Sequence, residues 1–327
     1  MRKVLITGGA GFVGRRFVHH FLRQGDEVHV VDPIVPLTGG RDPADGWPLF
    51  EPRDFPHFHF VKEDCRSFFG RRRDSDFDYA FHLAAMVGGR LMIENNPLVV
   101  ADDLSIDAAY WQWAKAARPR KTISFSSSAA YPIKHQGEVG YQLLREDLID
   151  FSRDLGVPDL SYGWTKLTCE FIGRLAYERH GVPSVCYRPF SGYGEDQDHT
   201  YPFPSICKRA LAARGQRKMT VWGTGTQLRD FIHIEDCVRG VLLTMDKIKG
   251  SAINLSTGIL TSFIAFAGIA ARSCGYEPAS IQGMTDKPSG VHARGGDVTL
   301  QRKLGFTAAI GLGEGVEQAI RYFERTR

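Results

Sequence analysis

Val4-Leu5-Ile6-Thr7-Gly8-Gly9-Ala10-Gly11-Phe12-Val13-Gly14 is a short apolar run that leads into a G-x-x-G-x-x-G array. We read it as a strand over Val4–Thr7, a tight turn through Gly8, Gly11 and Gly14, and a helix over Arg15–Gln24 that closes near Gly25. A glycine triplet says little by itself in a chain with 35 glycines. Its place between a strand and a helix gives it meaning, because there the backbone N–H groups and the helix N-terminus can meet a pyrophosphate. Asp32 follows the next apolar run, Glu27–Val31, where a carboxylate accepts hydrogen bonds from an adenosine ribose. That carboxylate repels the additional phosphate of NADP, and Pro33-Ile34-Val35-Pro36 supplies no arginine to offset it. NAD is therefore the expected cofactor. Asp64, after a third strand, reads either as a partner for the adenine amino group or as an ordinary loop aspartate.

Working outward, further strands are expected at Phe58–Lys62, Tyr79–Leu83, Thr122–Ser126 and Val185–Tyr187. Helices are expected over Asn96–Ala117 and over Leu160–His180, the latter closed by Gly181. Strand and helix alternating in this way is the pattern of a parallel sheet covered by helices. The expected fold is thus α/β, a Rossmann-type doubly wound sheet with a smaller, mostly C-terminal substrate-binding domain. Beyond Arg188 the residues Pro189, Gly192, Gly194, Pro202 and Pro204 interrupt regular structure repeatedly, as in segments that carry binding residues. We place the cofactor domain at 1–188 and 227–257, and a discontinuous substrate domain at 189–226 and 258–327.

Composition narrows the function. The 327 residues are 43% hydrophobic and 24% charged, ordinary for a globular protein, and no apolar run approaches the length of a membrane span. No signal-peptide pattern opens the chain. The six cysteines are scattered without a C-x-x-C pair, which excludes the usual zinc spacings and favours reduced thiols in the cytoplasm. A formal net charge of +4 is too small to argue for nucleic acid. The run Arg71-Arg72-Arg73, followed by Asp74, Asp76 and Asp78, reads as a solvated face.

The candidate chemistry lies in Tyr162-Gly163-Trp164-Thr165-Lys166. Tyr162 and Lys166 are four apart at the start of a helix and share a face. An ammonium beside a phenol favours the phenolate and draws the tyrosine pKa toward the working range. Of the eleven tyrosines only Tyr162 has a lysine four residues on. The run Ser126-Ser127-Ser128 ends the fifth strand, and a hydroxyl there can hydrogen-bond a substrate alcohol or alkoxide. Ser127 is the first choice for that role and Ser128 the second.

Taken in order, the glycine array, His82-Leu83-Ala84-Ala85, the serine run, Tyr162/Lys166 and Arg188-Pro189-Phe190-Ser191-Gly192-Tyr193-Gly194 resemble the NAD-dependent nucleotide-sugar epimerase/dehydratase branch of the extended short-chain dehydrogenases/reductases. The resemblance covers nearly the whole chain. It implies cofactor contacts from Gly8, Gly11, Phe12, Val13, Gly14, Asp32, Asp64, Cys65, Leu83, Ala84, Ala85, Tyr162 and Lys166. It also implies that Arg229 and Arg294 hold the substrate diphosphate, that Gly88, Arg90, Ser191, Lys208 and Trp222 line the sugar site, and that the chain forms a homodimer. Met86-Val87-Gly88-Gly89-Arg90, Tyr131-Pro132, Trp222-Gly223 and Gly290–Asp297 are most similar to GDP-mannose 3,5-epimerases. In those enzymes a lysine, matched by Lys208, works with a cysteine at the position of Ala129, so the second base of that chemistry is absent here. Ser191 stands where many relatives have asparagine. The acidic residue that 4,6-dehydratases carry just after the serine is also missing from Ser128-Ala129-Ala130.

The implied activity is epimerisation through a transient 4-keto sugar, with inversion at C4 or at C3/C5. A net 4-reductase or dehydrogenase, and a non-catalytic dinucleotide sensor, are the alternatives.

Overall fold

The computed structural model describes residues 1–72, 76–287 and 289–326. Arg73 and Asp74 of the charge run at 71–78 lie outside them. The chain opens with β1 (Lys3–Thr7), α1 (Phe12–Arg23), β2 (Glu27–Val31), β3 (Phe58–Val61), α2 (Cys65–Arg71) and β4 (Tyr79–His82). It continues through α3 (Arg90–Asn95), α4 (Pro97–Ala101), α5 (Asp103–Ala117), β5 (Lys121–Phe125), α6 (Leu160–His180) and β6 (Ser184–Pro189). A seventh strand, Ala252–Leu255, completes a sheet in the order β3-β2-β1-β4-β5-β6-Ala252–Leu255, with every neighbouring pair parallel. Val4, Leu5 and Ile6 are fully buried, as expected of a strand covered on both faces.

The chain leaves β1 toward β2 and β3 on one side, then crosses to β4 and onward on the other. The crevice beyond the carboxyl ends of β1 and β4 is therefore the switch point, where ligands of such sheets sit. The single long helix expected at Asn96–Ala117 is broken. Asn96 leaves the helical region (φ −130°, ψ 55°), and Pro97, which has no N–H to give, starts a new turn. Helix α6 keeps the expected bounds and ends on Gly181 in the left-handed conformation (φ 64°). It lies close against α5, since a Cβ on Gly173 would come within 2.7 Å of the Trp111 ring.

The remaining elements are α7 (Pro202–Ala212), β7 (Lys218–Trp222), β8 (Leu228–Asp230), α8 (Ile234–Thr244), β9 (the seventh strand above), β10 (Leu260–Ser262), α9 (Phe263–Ser273), β11 (Ser280–Met284), β12 (Ala293–Arg294), α10 (Thr299–Lys303) and α11 (Leu312–Arg325). Strand β8 pairs with β10 and β12, and β7 with β11, in two small sheets. A second apolar core, with Phe203, Phe266, Val316 and Phe323 among its members, lies beneath α7, α9 and α11. The structure thus places β8 with the smaller layer, so the return to the large sheet comes at α8 rather than at residue 227. The five short strands of this layer are two to five residues long, too short for a period-2 pattern to show in the sequence.

Candidate active site

The glycine loop is built by close approach of backbone to backbone. Gly8 has φ +70°, and a Cβ there would lie 2.6 Å from the Ala84 nitrogen on the β4 loop. A Cβ on Gly14 would lie 2.3 Å from the Gly8 carbonyl. Helix α1 begins at Phe12 with no side-chain cap on its first N–H groups, which leaves them to a ligand. At the end of β2, Asp32 is buried, and its carboxylate accepts from the N–H of Ala10 (3.1 Å) and of Ile34 (2.8 Å). Burial pushes its pKa up while those two donors pull it down. A fixed carboxylate beside an uncapped helix start and a side-chain-free turn fits an adenosine ribose and a diphosphate, so these residues suit a dinucleotide.

This loop forms one wall of a cavity of about 980 Å³ that runs between the large sheet and the smaller layer. Gly8, Gly11, Phe12, Val13, Gly14, Asp32, Asp64, Cys65, Leu83, Ala84 and Ala85 all line it. Asp64 also caps α2, and Arg66 holds both of its oxygens at 2.6–3.1 Å. Its carboxylate is therefore engaged within the chain. Burial pushes the Cys65 thiol up to about 12, so it stays protonated.

Ser127, Ser128, Tyr162 and Lys166 line the same cavity. Ser127 follows β5 in extended conformation, and its hydroxyl accepts from the N–H of Ala129 at 3.1 Å. Tyr162 lies in the first turn of α6, with Lys166 one turn on and its Nζ 5.7 Å from the phenol ring centre. Lys166 Nζ also lies 2.9 Å from Oδ2 of Asp103, the first residue of α5, and both side chains are buried. As expected from the sequence, Lys166 draws the Tyr162 pKa down, but the fold adds opposing causes. Lys166, Arg294 and Ser127 pull Tyr162 down, but burial and the Asp103 charge push it up, and the net direction is up. His82 joins β4 to this cluster: Nδ1 meets Thr7 Oγ1 at 2.7 Å and the ring stacks on Tyr110 at 4.0 Å. Burial lowers its pKa to about 3, so it is neutral.

At the far end three guanidinium groups converge. Arg90 and Arg294 both reach Asp159, at 3.1 Å and 2.7 Å. Arg229 donates to the backbone carbonyls of Leu228, Val291 and His292. A Cβ on Gly290 would lie 3.3 Å from Arg90 Nη1 and 3.4 Å from Arg229 Nη2. Burial, with Arg294 and Arg90 nearby, lowers the Arg229 pKa to about 9. Gly88, Ser191 and Trp222 complete this part of the wall.

Lys208 is not on it. The side chain is exposed, with Nζ 2.7 Å from His199 Nε2 and over the Phe323 ring. Its neighbour Arg209 lines the cavity instead. The turn of α7 decides this, since adjacent helical residues point about 100° apart. Asp103, Asp159 and Gln136, which accepts from Arg294 Nε at 2.6 Å, were missed in the sequence. Asp159 precedes the Leu160-Ser161-Tyr162 helix start and had a signal as a cap-type residue. Asp103 had none, because its importance comes from a lysine 63 positions away.

Residues 4–256 match the model of the family described as NAD dependent epimerase/dehydratase. The chain belongs to that family. It is 28% identical over 261 residues to an uncharacterized UDP-glucose epimerase of Bacillus subtilis, covering 77% of this chain and 76% of that one. It is 23% identical to a GDP-L-colitose synthase of Yersinia pseudotuberculosis over 98% of this chain and 97% of the relative. Among solved structures, the UDP-glucuronic acid 4-epimerase of Bacillus cereus, crystallised with NAD, shares the fold with a TM-score of 0.83 over 99% of this chain and 100% of that one, at 23% identity.

Proposed function

We propose that the chain is an NAD-dependent nucleotide-diphosphate-sugar epimerase that inverts C4 through a transient 4-keto sugar. The carrying observation is that Tyr162, Ser127 and Lys166 share one cavity with Arg90, Arg229 and Arg294, while Lys208 faces outward. C3/C5 epimerisation requires a base at each of those carbons. Lys166 is the only lysine among the described cavity residues, and Ala129 occupies the place of the second base. The serine turn Ser128-Ala129-Ala130 carries no carboxylate to drive loss of water, which argues against dehydratase chemistry. Relatives whose names carry UDP-sugar epimerase activity support the same reading.

Gly8, Gly11, Gly14 and Asp32 would hold NAD by its diphosphate and adenosine ribose, and the group would supply a reversible hydride acceptor at the sugar C4. The phenolate of Tyr162 takes the proton from the sugar 4-hydroxyl and, once the ring has presented the other face of C4, returns it to the same oxygen. Ser127 hydrogen-bonds that oxygen in both states. Lys166 stabilises the phenolate electrostatically and orients it. The guanidinium groups hold the diphosphate, and bidentate contacts to phosphate suit their geometry. They fix the nucleotide while the sugar ring turns over. We place the active form as a homodimer, supported by the exposed Leu98, Leu104, Trp164 and Phe171 on the outer faces of α4, α5 and α6.

The test is NMR of the protein incubated with NAD in D₂O and UDP-, GDP-, CDP- and dTDP-hexoses. Inversion at C4 without deuterium in the sugar is expected from at least one of them. Deuterium at C3 or C5, or a 6-deoxy-4-keto product, would overturn the C4 assignment.

A further inference from the structure

Lysine 166 carries out its part of the proposed reaction from inside an ion pair. Its Nζ lies 2.9 Å from Asp103 Oδ2, and both side chains are more than nine-tenths buried. The second oxygen of Asp103 accepts from the N–H of Met86, just beyond the His82-Leu83-Ala84-Ala85 segment of the cofactor wall. One carboxylate therefore ties the lysine of α6 to the loop after β4. Asp103 does not itself line the cavity, so it acts from behind Lys166.

We propose that Asp103 is a positioning residue of this site: it neutralises and orients the Lys166 ammonium and, through it, sets the pH at which Tyr162 can take a proton from the sugar. The inference rests on the assignment of Tyr162 as the base. A lone buried ammonium near a phenol would favour the phenolate strongly. Paired with a carboxylate at contact distance it presents a dipole, whose pull at the phenol is much weaker than that of a bare charge. Burial and the Asp103 charge both push Tyr162 up, in the same sense as the geometry.

The other groups facing this pair do not replace Asp103. From α5, Asp107 lies 3.7 Å from His82 Nε2, and burial raises its pKa to about 6. From β4, His82 is neutral. On α6, burial keeps Cys169 a thiol, and Ser126 at the end of β5 donates to the Lys166 carbonyl at 3.4 Å. Ser127 draws Tyr162 down, Tyr201 stays a phenol through burial, and Arg294 from β12 adds a distant positive charge. Among the described residues Asp103 is the carboxylate in contact with the lysine.

The experiment follows the carbon-13 signal of the tyrosine Cζ atoms against pH in protein saturated with NAD, with Tyr162 assigned through Tyr162→Phe. In Asp103→Asn the Tyr162 midpoint should fall by about one pH unit, and the acid limb of kcat should move with it. In Asp103→Asn/Lys166→Met, which leaves no buried charge unpaired, the midpoint should stay within about half a unit of the wild type. An unchanged midpoint in Asp103→Asn overturns the proposal. Should that single variant not fold, the double variant decides: a midpoint about one unit or more above wild type would show that lysine acts alone and would equally overturn it. The titration needs no sugar, so failure to turn over any nucleotide sugar would count against the epimerase assignment and leave this test standing.

Discussion

The two ends of the cavity balance charge differently. At the catalytic end Lys166 is matched by Asp103, and one turn further along α6 Arg188 is matched by Glu170 in an equally buried pair. At the arginine end Arg90 and Arg294 share Asp159, Arg90 also reaches Glu94 at 2.6 Å, and Arg229 donates only to carbonyl oxygens among the described residues. A buried charge without a full complement is costly unless a ligand completes it. On the proposed function, this surplus of positive charge is where the anionic diphosphate would sit, while the matched pairs would serve structure and tuning.

The sharpest way to break this contrast is at the reacting group. Tyr162→Phe should reduce turnover by about 10³-fold while NAD binding persists, because a positioned proton donor and acceptor contributes that order of acceleration. Turnover by NMR and NAD binding by fluorescence check the two halves of that statement. Next comes the arginine end. Arg229→Ala should raise KM by roughly 10- to 100-fold with a smaller change in kcat, since each charged hydrogen bond is worth about 1.5–3 kcal/mol. Steady-state kinetics on the accepted sugar nucleotide measure it, and an equal fall in kcat with KM unchanged would place Arg229 at the chemistry instead.

A matched pair should behave in the opposite way. Glu170→Gln leaves the Arg188 guanidinium buried and unpaired, and should cost about 3–5 kcal/mol of stability with no specific effect on KM. Urea denaturation reads the first and kinetics on the folded protein the second. A smaller effect concerns pH. His82 is lowered from its ordinary value to about 3 by burial, so below pH 6.5 the unfolded chain binds a proton that the folded chain does not. Stability therefore falls as pH drops from 6.5 toward 3, by about 1.4 kcal/mol per unit once below the unfolded value. His82→Phe should flatten that limb in thermal melts between pH 7 and pH 5. Smallest of all, Lys208→Ala should leave turnover within about twofold of wild type, as expected of an exposed side chain away from such features.

Much of this contrast is legible in the sequence, though unevenly. The glycine array, Asp32 and the Tyr162/Lys166 spacing are local patterns, and strand β2 and helix α6 fall where periodicity and Gly181 place them. Arg229 and Arg294 reach the cavity as the family resemblance implied. Asp103 and Asp159 were not legible, since each draws its meaning from partners brought together only by the sheet and the helix pair α5–α6. Lys208 was misplaced because its neighbours in sequence do not reveal which side of α7 faces the cavity. The same limit hid the sign of the Tyr162 shift: burial outweighs the lysine, and burial is a property of the fold.

The most direct measurement is incubation of the accepted nucleotide hexose, deuterated at C4, with the NAD-loaded protein in ordinary water. The account predicts a product inverted at C4 that still carries the deuterium, because the hydrogen leaves that carbon and returns to it without meeting solvent. Inversion with the label washed out, or an unchanged C4 configuration with exchange at a neighbouring carbon, would contradict it.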